Sequence, residues 1–315
     1  MLIAPVGVQG ILHKDGELAT ARAAASVGVP LIMSTAATRS IEAVAKASGD
    51  GHRWFQLYWY AYIFYFRSCA TNGHLRPRSN DITLSILGRA KAAGFTTLVV
   101  TLDTFILGWR PHDLDTAYLP FAASVGAQVG TSDPVFMQRM GLPVRPDEQP
   151  TFPLDLEAFR GRLAAGDEQA VAALKLGGEW LRETNSGKFR TWEDLAFLRE
   201  NWDGPLVVKG IQTVEDAHAA MDAHMDGIVV SNHGTFHPRA ICVKSKTTAG
   251  GRQVDGAIST FSALEKITAS SRVLRAQSEG KFTVLFDSGI RQGSDVIKAI
   301  AMGAQGVLGM YMFFR

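Results

Sequence analysis

The chain has 315 residues, of which 46% are hydrophobic and 20% charged, and this composition excludes a predominantly disordered protein. A net charge of +2 and only 2 cysteines give no indication of a nucleic-acid partner, a disulfide framework or a cysteine-rich zinc site. The sequence contains no apolar run long enough to span a bilayer and no basic segment before a short apolar start, so we expect no membrane partner and no signal peptide.

Eight short apolar runs predict eight buried strands, and each run is nearly continuous, as in parallel sheets covered on both faces. Alanine-rich segments with helical periodicity follow five of the runs, and several of them end in glycine. The alternation, without a glycine-rich dinucleotide fingerprint, predicts a closed (β/α)8 TIM barrel of the α/β class. The runs are residues 2–5, 30–34, 54–58, 97–103, 205–209, 227–231, 282–287 and 306–309.

We expect one domain over residues 1–315. Residues 111–200 interrupt the alternation between the fourth and fifth predicted strands and contain helical pieces such as residues 192–201. Long excursions of this kind lie over the C-terminal face of a barrel, so we predict that residues 111–200 form a lid.

Polar residues collect where the predicted strands end, which is the end of a (β/α)8 barrel that carries active sites. Polar residues are also common in turns, so the repetition over consecutive strands carries the prediction rather than any one residue. These residues are Ser34, Gln56, Tyr58, Thr101, Asp103, Lys209, Ser231, His233 and Asp287.

Among these residues, His233 is the candidate general base, because a neutral imidazole accepts a proton near physiological pH. Asp103 is the candidate carboxylate that orients it. Lys209 is a candidate for stabilising developing negative charge. The alternatives are a histidine that caps a strand–helix turn and a lysine that extends to solvent.

Two arginines are candidates for binding a substrate carboxylate, because a planar guanidinium binds a carboxylate in a two-pronged fashion. They are Arg110 and Arg252, and the hydroxyl of Tyr58 is a further donor. The alternative for both arginines is a surface salt bridge.

Seven motifs carry a resemblance over nearly the whole chain. They are IAPVGVQG, FQLYW, TLDTFILGWRPHDLD, VVKGIQTVEDA, SNHG, GGRQVDG and FDSGIRQGSDVIKAIAMGAQGV. With them the sequence resembles the FMN-dependent L-2-hydroxy-acid oxidases and dehydrogenases, in particular the lactate 2-monooxygenase-like branch. The resemblance implies FMN as cofactor and oxidation of an L-2-hydroxy acid, with L-lactate as the leading candidate and O2 as the acceptor.

The resemblance also implies residue roles. His233, Asp103 and Lys209 would be catalytic, while Tyr58, Arg110, His233 and Arg252 would bind substrate, and no metal site is expected. The residues after the seventh strand would bind the ribityl chain and phosphate of FMN, and the others would border its ring. The implied FMN contacts are Pro5, Val6, Gly7, Ser34, Gln56, Thr101, Lys209, Ser231, Asp287, Ser288, Gly289, Ile290 and Arg291.

Residues 60–76 and 235–250 depart from the family pattern. They contain no Asp or Glu, they hold both cysteines, and the second segment separates His233 from Arg252. Translated non-coding sequence and lineage-specific insertion are the two hypotheses for them. Compared with the family, we also expect that its N-terminal segment and final helix are missing.

Several alternatives therefore stay open. They are a glycolate or other 2-hydroxy-acid oxidase or dehydrogenase, a catalytically impaired barrel that only binds flavin, and an unrelated barrel enzyme that binds a sugar phosphate or nucleotide. The resemblance further implies a homo-oligomer, a tetramer in the family. A cytoplasmic location is the default expectation, with the peroxisome as the alternative.

Overall fold

A computed structural model of the chain describes residues 1–59, 80–104, 115, 118–185, 190–232 and 258–309. The two atypical segments, residues 60–76 and 235–250, lie outside the described residues. The same holds for three candidate site residues, Arg110, His233 and Arg252.

Eight parallel strands close into a barrel in chain order, and β8 pairs with β1 through Leu2 and Leu308. This confirms the predicted (β/α)8 fold. The strands are β1 Leu2–Ile3, β2 Leu31–Met33, β3 Arg53–Tyr58, β4 Thr97–Thr101, β5 Leu206–Ile211, β6 Gly227–Val230, β7 Thr283–Phe286 and β8 Gly306–Gly309.

Two apolar layers explain why the strands read as continuous hydrophobic runs. Successive side chains of a strand point to opposite faces. Val207 of β5 packs inside the barrel, and its neighbour Val208 packs in the larger layer between strands and helices. The inner layer consists of Leu2, Ile32, Val99, Val207, Val229, Leu285 and Leu308.

Twelve α-helices lie within the described part of the chain. The predicted helical segments all form helices, with ends within a few residues of those expected. The helices are α1 Glu17–Ser26, α2 Ile41–Ser48, α3 Asp81–Ala92, α4 Gln128–Thr131, α5 Pro134–Met140, α6 Leu156–Ala164, α7 Glu168–Thr184, α8 Leu195–Asn201, α9 Val214–Asp222, α10 Thr260–Thr268, α11 Ser271–Ser278 and α12 Gly293–Ala301.

The excursion between β4 and β5 contains α4 to α8 and is attached to the outer helices of the barrel by a buried carboxylate. Asp133 caps α5 by accepting hydrogen bonds from the backbone N–H groups of Val135 at 3.0 Å and Phe136 at 2.9 Å. Its other oxygen accepts from Ser85 Oγ at 2.7 Å and lies 3.2 Å from Arg89 Nη1, both on α3. The proposed lid function of this excursion stays a prediction.

None of the helices in the described residues combines the length and apolar character that crossing a bilayer requires.

Candidate active site at the mouth of the barrel

A row of buried polar side chains crosses the carboxyl ends of β2, β3 and β4. Ser34 Oγ donates to Gln56 Oε1 at 3.2 Å, and Gln56 Nε2 donates to Thr101 Oγ1 at 2.9 Å. Each of the three side chains is at most 2% exposed. The structure thus brings together three residues that the sequence predicted as a group.

Thr35 fixes the orientation of Gln56. The Thr35 backbone N–H donates to Gln56 Oε1 at 3.2 Å, and Thr35 Oγ1 donates to the Gln56 carbonyl oxygen at 2.5 Å. The same hydroxyl accepts the Tyr58 backbone N–H at 3.2 Å. The Gln56 oxygen therefore faces two donors, while the amide nitrogen faces Thr101.

Lys209 is a cation held inside the barrel mouth. Its Nζ donates to Ser231 Oγ at 2.9 Å and lies 3.3 Å from Asp287 Oδ2. Burial alone would lower the pKa of Lys209, but the charges of Asp287, Asp103 and Tyr58 outweigh burial, and the pKa lies above its ordinary value. The ammonium group is therefore charged at every physiological pH.

Asp103 follows β4 and is 6% exposed. Its Oδ1 accepts from Thr104 Oγ1 at 3.2 Å, and its charge contributes to the raised pKa of Lys209. The mouth thus holds one buried cation and the two buried carboxylates of Asp103 and Asp287, so a further positive charge would be favoured there.

The loop after β1 is attached to the rest of the barrel by Glu17. Its Oε1 accepts the backbone N–H groups of Gln9 at 3.0 Å and Thr38 at 2.9 Å, and its Oε2 accepts Thr38 Oγ1 at 2.5 Å. Gln9 Nε2 in turn donates to the Val6 carbonyl oxygen at 3.1 Å. This buried network positions the predicted cofactor loop of Pro5, Val6 and Gly7.

Gly7 is required for a close approach within that loop. A Cβ atom at Gly7 would lie 2.7 Å from Ala36 Cβ, which is closer than real Cβ atoms approach one another. The Val8 N–H donates to the Ala36 carbonyl oxygen at 2.9 Å, so the loops after β1 and β2 are joined side by side.

The loop after β7 leads directly into α12. Ser288 and Gly289 both have φ 76°, and Ser288 Oγ donates to Asp287 Oδ1 at 2.7 Å. A Cβ atom at Gly289 would meet nothing within 4 Å. A strained turn that leads into a helix N-terminus is suited to binding an anion through backbone N–H groups.

Sequence reasoning missed Glu17, Gly210 and Gln212. Gln212 follows β5 directly and is 1% exposed, and neither of its amide atoms has a hydrogen-bond partner among the described residues. Its position after a strand was the signal that could have found it, but the fifth strand was expected to end at Lys209. No sequence pattern singled out Glu17, which lies in the first turn of α1.

A closed (β/α)8 barrel with a buried cation and converging polar side chains at the carboxyl ends of its strands is the architecture of a barrel enzyme. The family model of the FMN-dependent dehydrogenases matches residues 1–311, and the chain belongs to this family. This confirms the family resemblance and FMN as the family's cofactor; the lactate 2-monooxygenase-like branch stays a prediction.

Similar proteins agree with this assignment. The FMN-dependent alpha-hydroxy acid dehydrogenase qulF of Penicillium citrinum is 40% identical over 308 residues, which cover 98% of this chain and 61% of the relative. The L-lactate oxidase of Lysinibacillus sphaericus is 33% identical over 307 residues, which cover 98% of this chain and 62% of that protein. The chain thus spans about three fifths of the length of these curated relatives.

Among solved structures, mandelate oxidase with benzoyl-formic acid superposes with a TM-score of 0.62 at 31% identity. The match covers 100% of this chain and 65% of the mandelate oxidase chain.

Proposed function

We propose that this barrel binds FMN and oxidises an L-2-hydroxy acid, with L-lactate as the first candidate. The observation that carries the proposal is the buried Lys209 ammonium, held by Ser231 and Asp287 in the centre of a polar mouth. An enzyme that must stabilise negative charge in its cofactor needs such a cation, whereas a merely structural barrel has no use for it.

The residues present fit FMN. The donors and acceptors of Ser34, Gln56 and Thr101 suit the polar edge of the ring system, and Lys209 and Ser231 lie at the same mouth. Pro5, Val6 and Gly7 would border the ring. The backbone from Asp287 to Arg291 would hold the ribityl chain and phosphate, because it enters the N-terminus of α12.

Bound FMN supplies a two-electron acceptor. Oxidation of the 2-hydroxy acid to the 2-keto acid removes two electrons and two protons from the carbinol group. His233 would accept one of these protons, and Asp103 would orient its imidazole and stabilise the positive charge that His233 acquires. A hydride route and a carbanion route use the same residues.

Arg110 and Arg252 would bind the substrate carboxylate, and the Tyr58 hydroxyl would donate a further hydrogen bond. The oxidase, monooxygenase and dehydrogenase outcomes differ after this step. Relatives named for L-lactate and for mandelate make both acids worth testing, together with glycolate.

The test is the visible absorption spectrum of the purified chain with FMN under anaerobic conditions, before and after L-lactate, (S)-mandelate or glycolate. We expect a protein-bound flavin band that one of these acids bleaches. Lys209→Met should weaken both FMN binding and bleaching. Lys281→Met, which changes a lysine 74% exposed in its side chain, is the matched control and should leave both unchanged.

Three outcomes would contradict the proposal in different ways. Bound FMN that no acid bleaches supports the catalytically impaired barrel. A colourless chain that turns over a phosphorylated metabolite supports an unrelated barrel enzyme. Bleaching that survives Lys209→Met unchanged removes the role of Lys209. The homo-oligomer and the cytoplasmic location stay predictions, to be tested by light scattering and by localisation of a tagged chain.

A further inference from the structure

Gly210 forms a β-bulge in β5. Lys209 pairs with Val229 of β6, and Ile211 pairs with the very next residue, Val230, so Gly210 is the extra residue on its strand. Its φ is +107°, in the left-handed region that favours glycine. Bulges of this kind are over-represented beside active sites, where they re-aim a side chain.

The bulge changes which residues of β5 face inward. Val207 belongs to the inner layer, and both Val208 and Ile211 belong to the outer layer. A regular strand would place residues 208 and 211 on opposite faces. The extra residue therefore separates Lys209, in the mouth, from Ile211, in the outer core.

Gly210 also lies against Asp103. A Cβ atom built on Gly210 would lie 2.6 Å from Asp103 Cβ, 2.7 Å from its Cγ and 2.8 Å from its Oδ2. All three nearest atoms belong to the one side chain. Ordinary contacts begin near 3.4 Å, so any side chain at position 210 would displace Asp103 by about 0.8 Å or more.

We propose that Gly210 is a positioning residue, whose missing side chain and bulged backbone give Asp103 its place at the barrel mouth. The inference rests on the proposed function, because the action of Asp103 on His233 is itself proposed. Gly210 touches neither substrate nor cofactor in this proposal and acts only through Asp103. An error of about 1 Å in a catalytic group can cost 10²-fold in rate, so the displacement is large enough to matter.

The first test is independent of activity and uses urea unfolding of the FMN-free chain. Gly210→Ala should lower the unfolding midpoint of the chain. In the Asp103→Gly background the same substitution should have a much smaller effect, because the three contacting atoms are gone. Gly166→Ala is the matched control, since Gly166 has φ +73° and no neighbour within 4 Å of its added Cβ.

This cycle separates contact from backbone strain. Strain alone would make Gly210→Ala resemble Gly166→Ala and would act equally in both backgrounds. An equal loss with and without the Asp103 side chain would overturn the inference.

The second test uses the FMN-loaded chain and its reduction by L-lactate. Gly210→Ala should lower the limiting rate of flavin reduction by about 10²-fold. The L-lactate concentration for half-saturation should stay unchanged, because the carboxylate arginines are not displaced. Gly166→Ala should change neither quantity.

The failure of this inference differs from the failure of the proposed function. If no 2-hydroxy acid reduces the unaltered chain, the proposed function fails, and the unfolding cycle still decides whether Gly210 positions Asp103. If the unaltered chain is reduced and Gly210→Ala is reduced equally fast, the positioning role is overturned.

Discussion

Lys209 on β5 and Asp287 after β7 form an ion pair of 3.3 Å across the barrel mouth. The intervening strand β6 is followed by Ser231, which accepts a hydrogen bond from the same ammonium group at 2.9 Å. One cation therefore joins the carboxyl ends of three neighbouring strands. It contributes to the stability of the FMN-free barrel as well as to any chemistry at the mouth.

Substitution of Lys209 by Met should lower the free energy of unfolding by about 3–5 kcal/mol, because it leaves the buried carboxylate of Asp287 without its cation. Urea unfolding of the FMN-free chain at neutral pH measures this. The double variant Lys209→Met with Asp287→Leu should recover most of the loss. Equal losses in the single and double variants would contradict the explanation.

The pH dependence of this stabilisation has a definite sign. The folded pKa of Lys209 lies above its ordinary value of 10.5, since Asp287 and Asp103 outweigh the burial that alone would lower it. Its stabilising effect is therefore complete below pH 10.5 and is lost as the pH rises through the higher folded value. The difference between the unaltered chain and Lys209→Met should be constant from neutral pH to that point and shrink above it.

Arg89 on α3 connects two outer helices with the excursion. Its Nε and Nη2 donate to the two carboxylate oxygens of Glu42 on α2, each at 2.8 Å, and its Nη1 lies 3.2 Å from the fully buried Asp133. Burial alone would lower the pKa of Arg89, but Glu42 and Asp133 raise it.

We expect Arg89→Met to lower the free energy of unfolding by about 3–5 kcal/mol, because Asp133 stays buried without its cation. Limited proteolysis of the same variant should cleave the excursion faster. Arg22→Met is the matched control, because the Arg22–Asp15 pair is exposed on both sides and should contribute less than about 1 kcal/mol. Similar effects of the two substitutions would show that Arg89 fastens nothing.

The strands were predictable from the sequence because a parallel barrel buries both faces of each strand, and the runs are therefore continuous in apolar residues. The end of β5 was not. Lys209 was expected to end the strand, but β5 continues to Ile211 through the bulge at Gly210. A bulge depends on pairing with a neighbouring strand, and a pattern of polarity along one segment does not contain that information.

The candidate site was predictable where its residues directly follow strands, as Ser34 and Gln56 illustrate. The supporting network of Glu17 was not predictable, because its partners Gln9 and Thr38 are 8 and 21 residues away and the bonds run between loops. Contacts between loops depend on the closed barrel, which first brings β1 and β2 side by side.

Glu17→Gln should lower the free energy of unfolding by about 1.5–3 kcal/mol. The substitution replaces charge-assisted hydrogen bonds and places an amide nitrogen where an acceptor is needed. It should also weaken FMN binding, because Gln9 and Val6 lose their support. Calorimetry and a fluorescence titration with FMN measure the two effects.

Glu265→Gln serves as the comparison for Glu17, because Glu265 is an exposed glutamate on α10. We expect its effect on stability to stay within about 0.5 kcal/mol. Weakened FMN binding in Glu17→Gln without any loss of stability would mean that Glu17 acts on the cofactor by another route.

Gln212 supports a prediction of the opposite sign. Its side chain is 1% exposed and neither amide atom has a partner among the described residues, so the FMN-free chain bears the cost of burying an unsatisfied amide. Gln212→Leu should therefore raise the free energy of unfolding by about 1–3 kcal/mol. Urea unfolding without FMN measures the change.

Gln128 offers a buried glutamine with both ends bonded. Its Oε1 accepts the Gly126 N–H and its Nε2 donates to the Ser124 carbonyl oxygen, each at 2.9 Å. Gln128→Leu should lower the free energy of unfolding by about 1–3 kcal/mol, because it leaves both backbone groups unpaired. If Gln212→Leu destabilises the chain as much as Gln128→Leu does, the Gln212 amide has a bonding partner in the folded protein and the prediction is wrong.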